Sequence, residues 1–334
     1  MSNIAGATTL RGKLTAILTD PDGRPRQRAP LATRLKYALA IRRVEFLPVH
    51  TMIGLVPAAM AAQSWSEFLS LSALVAVLFA ITHMELADMI NALADREVDA
   101  AHKSPLPEAI YGLGVSRVLA HIAVTTVAYF GMAVFLAARS EHWDLVLIAL
   151  AAWLMGVAYS FPPLHLKSAG VWQLPTLQIL CVFLPGLVVL RSFEHGLEWA
   201  SVGVVAGLSL TLTAMFVTNH AEDYWEDEQF GIRTYVIALG LTRAIDVQSA
   251  MLFLGALLTV GSVWLEYGFT WGLIPYILVW LASQRFMFVL SREVRAPMDA
   301  AMAAVRRKAI TGPYHGVVLG LMTVVLAFFV LVGR

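Results

Sequence analysis

Asn91-Ala-Leu-Ala-Asp95-Arg-Glu-Val-Asp99 and its echo Asn219-His-Ala-Glu-Asp223-Tyr-Trp-Glu-Asp227 share one pattern, N-x-x-x-D-x-x-x-D. A spacing of four places Asn91, Asp95 and Asp99 on one face of a helix, one turn apart, and does the same for Asn219, Asp223 and Asp227. Each set is a ladder of oxygen ligands at the end of an apolar run. Hard divalent cations such as Mg2+ take such oxygens and are often shared with a substrate phosphate, so two facing ladders point to a metal-held phosphate or diphosphate. One ladder alone would equally suit the solvated end of an acid-rich helix. Two of identical composition argue against that.

Composition places this chemistry in a membrane. With 58% hydrophobic and 14% charged residues and a mean hydropathy of +0.70, the chain is far more apolar than a soluble domain, whose charged fraction is about 25%. The single Cys181 lies in an apolar run, cannot form an internal disulfide and reads as a small core residue. No stretch resembles a cleaved signal peptide: the first long apolar segment begins near Phe46, after a basic one.

Residues 1–33 are polar and include Asp20-Pro-Asp-Gly-Arg-Pro-Arg-Gln-Arg28, with too little apolar surface to order themselves by burial. They read as a cytoplasmic tail, and residues 34–334 as one transmembrane domain. Nine apolar spans follow: about 46–62, 68 into the first ladder, 118–138, 145–161, 174–190, 202–217 into the second ladder, 250–265, 271–290 and 317–332. Several approach the lower limit of roughly 17 residues for a crossing helix. The expected fold is thus an all-α integral membrane protein. Of the 24 Lys and Arg residues, all but Arg139, Arg191 and Arg334 fall on one side of this arrangement. The excess of basic residues marks the cytoplasmic face, which puts the N-terminus and both ladders inside a multi-pass protein of, we expect, a bacterial cell membrane. Four spans separate the ladders, an even number, so both emerge on one face and can converge on one ligand.

A third motif, Tyr159-Ser-Phe-Pro-Pro-Leu-His-Leu-Lys167, ends the fourth span where paired prolines force a turn. Together the ladders and this turn resemble the UbiA superfamily of intramembrane prenyltransferases, as does Gly231-Ile-Arg-Thr234 followed by Leu239-Gly240. The resemblance implies nine transmembrane helices around a central cavity that binds a prenyl diphosphate with Mg2+. It assigns metal binding to Asn91, Asp95, Asp99, Asn219, Asp223 and Asp227, with the four aspartates central to catalysis. Arg43, Lys103 and Lys167 then offset the diphosphate charge, and Tyr159 and Ser160 touch the phosphate or the cation formed on ionisation. Two departures stand out: Ala92 follows Asn91 where many relatives have Asp, and Ser104 replaces an arginine whose charge Lys103 is expected to supply.

Other polar residues fall inside the spans. Acids at such depth are costly and usually functional. Asp88, three residues before Asn91, is the candidate for an acceptor subsite, together with Glu85 and His83. Glu222 and Glu226 read as solvated acids, and His165 and His220 as surface or supporting groups. No HExxH, P-loop, GxSxG or paired-cysteine motif is present, so zinc hydrolysis, nucleotide hydrolysis and serine catalysis have no support. The favoured function is transfer of a prenyl group to an aromatic or lipid acceptor, with membrane lipids as surroundings and no nucleic-acid partner. A cyclase would use the same metal site without an acceptor. A transporter should instead carry its acids near the midplane, on broken helices.

Overall fold

The computed structural model describes residues 9–20, 30–100, 105–195, 197–216 and 218–334, and every regular element among them is a helix. Among the described residues eight helices are long and apolar enough to cross a membrane: Val44–Ala61, Leu71–Ala100, Val115–Ser140, Gly170–Arg191, Trp199–Glu222, Leu241–Tyr267, Leu273–Glu293 and Thr311–Val332. Asp144–Ser160, apolar but shorter, lies fourth in order and makes the ninth span. Each span packs on its neighbours in sequence, and the ninth closes back on the first, so the helices form a ring.

Small residues set the closest approach in that ring. A Cβ at Gly207 of the sixth span would sit 2.5 Å from the Gly255 carbonyl oxygen and 2.2 Å from Thr259 Oγ1 on the seventh. Lipid tails offer no hydrophobic gain for helix association, so such backbone contact supplies much of it. The second span, Leu71–Ala100, has 30 residues and a length of about 45 Å, against a hydrocarbon core of about 30 Å. Its last turns carry Asp95 and Asp99, and the helix is longer than a hydrocarbon core requires.

At the opposite end Arg334 ties three segments together. Arg334 donates to the Ala62 carbonyl at 2.9 Å, to Glu198 Oε2 at 2.6 Å and to the Tyr267 hydroxyl at 2.6 Å. Arg191 pairs with Asp144 at 2.9 Å among the ends of neighbouring spans.

The N-terminal stretch differs from its sequence reading. Leu10–Leu18 is helical, with Thr9 Oγ1 accepting from Gly12 N at 3.1 Å. Leu10 and Leu18 are exposed, and Ile17 is the side chain this helix buries in the core. Arg96 adds a polar anchor: fully buried between the ladder positions, it donates to the carbonyls of Ala16, Ile17 and Thr19 at 2.5, 2.8 and 3.0 Å. These are helix-end carbonyls without internal partners, which a cation satisfies well. Asp20 then accepts from Val115 N at 2.9 Å, at the start of the third span.

Candidate active site

A cavity of about 550 Å3 opens at the ladder end of the bundle. Its wall includes Arg43, Asp88, Asn91, Asp95, Asp99, Tyr159, Ser160, Lys167, Asp223 and Asp227. Lys103 lies outside the described residues, as does the side chain of Asn219, whose backbone belongs to Thr218–Glu222.

The first ladder is built as its spacing requires. Asn91 Nδ2 donates to Asp95 Oδ2 at 2.9 Å along one helix face and reaches Ser160 Oγ at 3.4 Å. The second departs from a continuous helix. It breaks at Asp223, the junction between Thr218–Glu222 and Tyr224–Phe230, yet Asp227 N still donates to Asp223 O at 2.8 Å, and both aspartates reach the cavity. Gly231, at φ 67°, then reverses the chain so that Ile232 N caps Asp227 O at 2.8 Å. A left-handed residue here suits glycine, which lacks the Cβ that clashes.

Lys167 joins the motifs. The turn after Phe161 holds a cis peptide between Pro162 and Pro163 and a left-handed His165 at φ 40°, and it delivers Lys167 Nζ to within 2.5 Å of Asp95 Oδ2. Burial alone would pull the Lys167 ammonium down, but Asp95, with Tyr159 and Asp99 beyond it, outweighs burial and holds its pKa above the ordinary lysine value. Burial pushes the Asp227 carboxyl up to about 6, with Asp223 and Asp95 adding to the rise against Lys167 and a hydrogen bond from Thr234. The cavity lining carries more carboxylates than basic side chains, an arrangement suited to cations.

Gln173 was missed in sequence. Fully buried, it donates to the Tyr159 hydroxyl at 3.1 Å, lies 3.2 Å from His220 Nδ1 and accepts from Tyr235 N at 2.9 Å, fixing three elements of the cavity wall. A lone Gln opening an apolar span was its only trace. His220 takes the supporting place of its two expected ones, beside Gln173 in the cavity wall, and Glu222 and Glu226 line the cavity too, the latter 4.0 Å from Arg306. Both acids are only partly buried there, so they line the cavity within reach of water.

Two members of the expected acceptor subsite are occupied elsewhere. Glu85 pairs with Arg42 at 2.6 Å, and Arg42 also donates to Thr125 at 3.1 Å. His83 Nε2 stands 3.0 Å from the Leu180 carbonyl. That carbonyl is free for a covalent reason: Ile179–Phe183 is a π turn in which Leu184 N bonds Ile179 O, and the next residue, Pro185, has no N–H to give Leu180. His83 completes the backbone and is structural. Asp88 remains at the cavity.

Among the described residues no three His, Cys, Asp or Glu side chains stand close enough to hold an ion alone. Mg2+ is commonly held by one or two carboxylates, with phosphate and water supplying the rest. Aspartates and an asparagine amide around an open cavity suit that chemistry, so the donor set fits the ion.

A ring of membrane helices around a cavity with acidic and basic groups at one end defines a multi-pass membrane protein. The chain belongs to the UbiA prenyltransferase family, which it matches over residues 48–310. No curated protein sequence matches it. Among solved structures, one of digeranylgeranylglyceryl phosphate synthase is similar with a TM-score of 0.61 and 16% identity, over 88% of this chain and 99% of that one. A UbiA homologue from Archaeoglobus fulgidus bound to GPP and Mg2+ gives 0.60 and 16%, over 85% and 99%. The apo homologue from Aeropyrum pernix K1 gives 0.60 and 17%, over 86% and 98%. These likenesses establish a shared fold.

Proposed function

We propose that this protein is a Mg2+-dependent intramembrane prenyltransferase that binds a prenyl diphosphate at the ladder end of the cavity and passes the prenyl group to an aromatic or lipid acceptor. The observation that carries this reading is the meeting of both acid ladders and Lys167 in one cavity, with Asp95 and Lys167 2.5 Å apart. The Archaeoglobus fulgidus homologues, bound to GPP or DMAPP with Mg2+, support it.

Four aspartates and a diphosphate carry about −7 of formal charge, against about +2 from Arg43 and Lys167, an imbalance that a poorly solvated cavity cannot hold. Asn91, Asp95, Asp99, Asn219, Asp223 and Asp227 are the residues that would hold Mg2+. When bound, the metal supplies positive charge that offsets the leaving diphosphate. Lys167 is placed to turn from Asp95 to a phosphate oxygen, with Arg43, Lys103, Tyr159 and Ser160 as further contacts. The apolar wall, including Ile53, Leu177 and Leu212, receives the isoprenoid tail and keeps water from the allylic carbon. Transfer is favoured over cyclisation because the wall also carries polar groups, His50, Asp88 and Thr213, where a cyclase needs ring faces and no nucleophile. We place the ladders and the N-terminus on the cytoplasmic face, following the basic residues, and residues 34–334 as the catalytic domain.

The test is diphosphate release from geranylgeranyl diphosphate by purified protein, with Mg2+ and with excess chelator. Release that needs Mg2+ is expected; equal release in chelator would show that the ladders are only solvated acids.

A further inference from the structure

His50 of the first span and Asp88 of the second face each other on the deep wall of the cavity, with His50 Nε2 3.5 Å from Asp88 Oδ2. His50 is only 2% exposed. Neither its Nδ1 nor Asp88 Oδ2 has a hydrogen-bond partner. Leaving a buried polar atom unpaired and placing an acid at this depth both cost stability, so stability does not account for the pair. Neighbours that could satisfy it are engaged: His83 with Leu180 O, Glu85 with Arg42, and Arg43 with Glu45 at 2.8 Å. The wall around it is apolar, formed by Phe46, Val49, Ile53 and Met84.

We propose that His50 and Asp88 are the proton-accepting pair of an acceptor subsite, and that the acceptor is a neutral, lipid-soluble molecule bearing a hydroxyl group. This rests on the prenyl-transfer reading. Asp88 lies three residues, about 4.5 Å of helix rise, deeper than Asn91, so an acceptor held there meets the allylic carbon from the tail side of the diphosphate. The hydroxyl oxygen forms a new C–O bond to that carbon while the C–O bond to diphosphate breaks, its electron pair leaving with the diphosphate. The hydroxyl proton passes to His50 Nδ1. Asp88 Oδ2, 3.5 Å from His50 Nε2, offsets the imidazolium charge that forms. An acceptor with its own carboxylate is excluded, because Asp88 would repel it in an apolar surrounding.

Protein in lipid nanodiscs is supplied with Mg2+, geranylgeranyl diphosphate and one of three probes: 4-nonylphenol, monooleoylglycerol or oleate. Released diphosphate and prenylated product are both measured. An ether is expected from at least one hydroxyl probe and no product from oleate. In Asp88→Asn and His50→Gln the ratio of ether to diphosphate released falls by about 100-fold, the lower range of general-base catalysis. Binding of geranylgeranyl diphosphate by each variant shows that it is folded, and a variant that does not bind is replaced by Asp88→Glu or His50→Phe. An unchanged ratio in both variants overturns the proposal, as does a wild type that releases diphosphate without forming either ether, or that prenylates only oleate. Absence of Mg2+-dependent release from wild type overturns the prenyl-transfer reading instead.

Discussion

Lys167 Nζ donates to Asp95 Oδ2 at 2.5 Å, across a sequence separation of 72 residues, and both side chains are mostly buried. The bond ties the turn after the fourth span to the first ladder. Removing one partner of a buried pair leaves the other uncompensated, at a cost of about 3–5 kcal/mol. Lys167→Met should therefore lower Tm in chelator and recover much of the loss in Mg2+, a cation that can take the place of the ammonium beside Asp95. Thermal unfolding with and without Mg2+ checks this. Equal loss in both conditions would mean that Lys167 does not share its carboxylate with a metal.

Asp95→Asn and Asp223→Asn keep the shape of the side chain and remove its charge. Each should lower diphosphate release by at least about 100-fold, the scale seen when one electrostatic contact to a developing charge is removed. Insertion and folding should be retained, judged by monodisperse elution in detergent. Near-normal turnover in both variants would take the ladders out of the reaction.

Both ladders were legible in sequence because a period of four on an apolar background is a direct statement of geometry, whereas Lys167 was reached only through the family resemblance of the turn that carries it. The nine spans were legible for the same reason, since length and apolarity decide a crossing helix. What escaped depends on contacts between spans. Gln173 and His50 are single polar residues whose partners lie on other helices. The role of His83 follows from a π turn and Pro185 nearly 100 residues away, and that of Arg96 from carbonyls of a helix nearly 80 residues before it. The break at Asp223 was hidden because N-x-x-x-D-x-x-x-D reads as continuous.

Topology gives an independent check. In a Cys181→Ser background, cysteines placed at Asn219 and Arg334 should react with an impermeant maleimide from opposite faces of the membrane. The expectation rests on Arg334 joining Ala62, Glu198 and Tyr267 at the end remote from the ladders. Labelling of both from one face would break the nine-span arrangement.

Arg96 sits between Asp95 and Asp99 but turns away from the cavity, fully buried against the carbonyls of residues 16, 17 and 19 and of Leu93 at 2.8 Å. Deleting residues 1–20 removes three of these four acceptors and leaves the guanidinium facing a vacated surface. Water can reach part of it, so the loss should fall toward the lower end of the 3–5 kcal/mol expected for an unpaired buried charge. Arg96→Met in the full chain should cost a similar amount, because charge-assisted bonds to carbonyls contribute about 1.5–3 kcal/mol each before desolvation is returned. The two changes act on one interaction, so the double variant should lose clearly less than the sum of the single losses. A double-mutant cycle by thermal unfolding measures this directly. Because the ladder helix is anchored through this contact, Mg2+ affinity should also weaken in each single variant, by about 10-fold as for other supports behind a metal site. Additive losses with unchanged Mg2+ affinity would show that Leu10–Leu18 rests on the bundle without positioning Asp95 and Asp99.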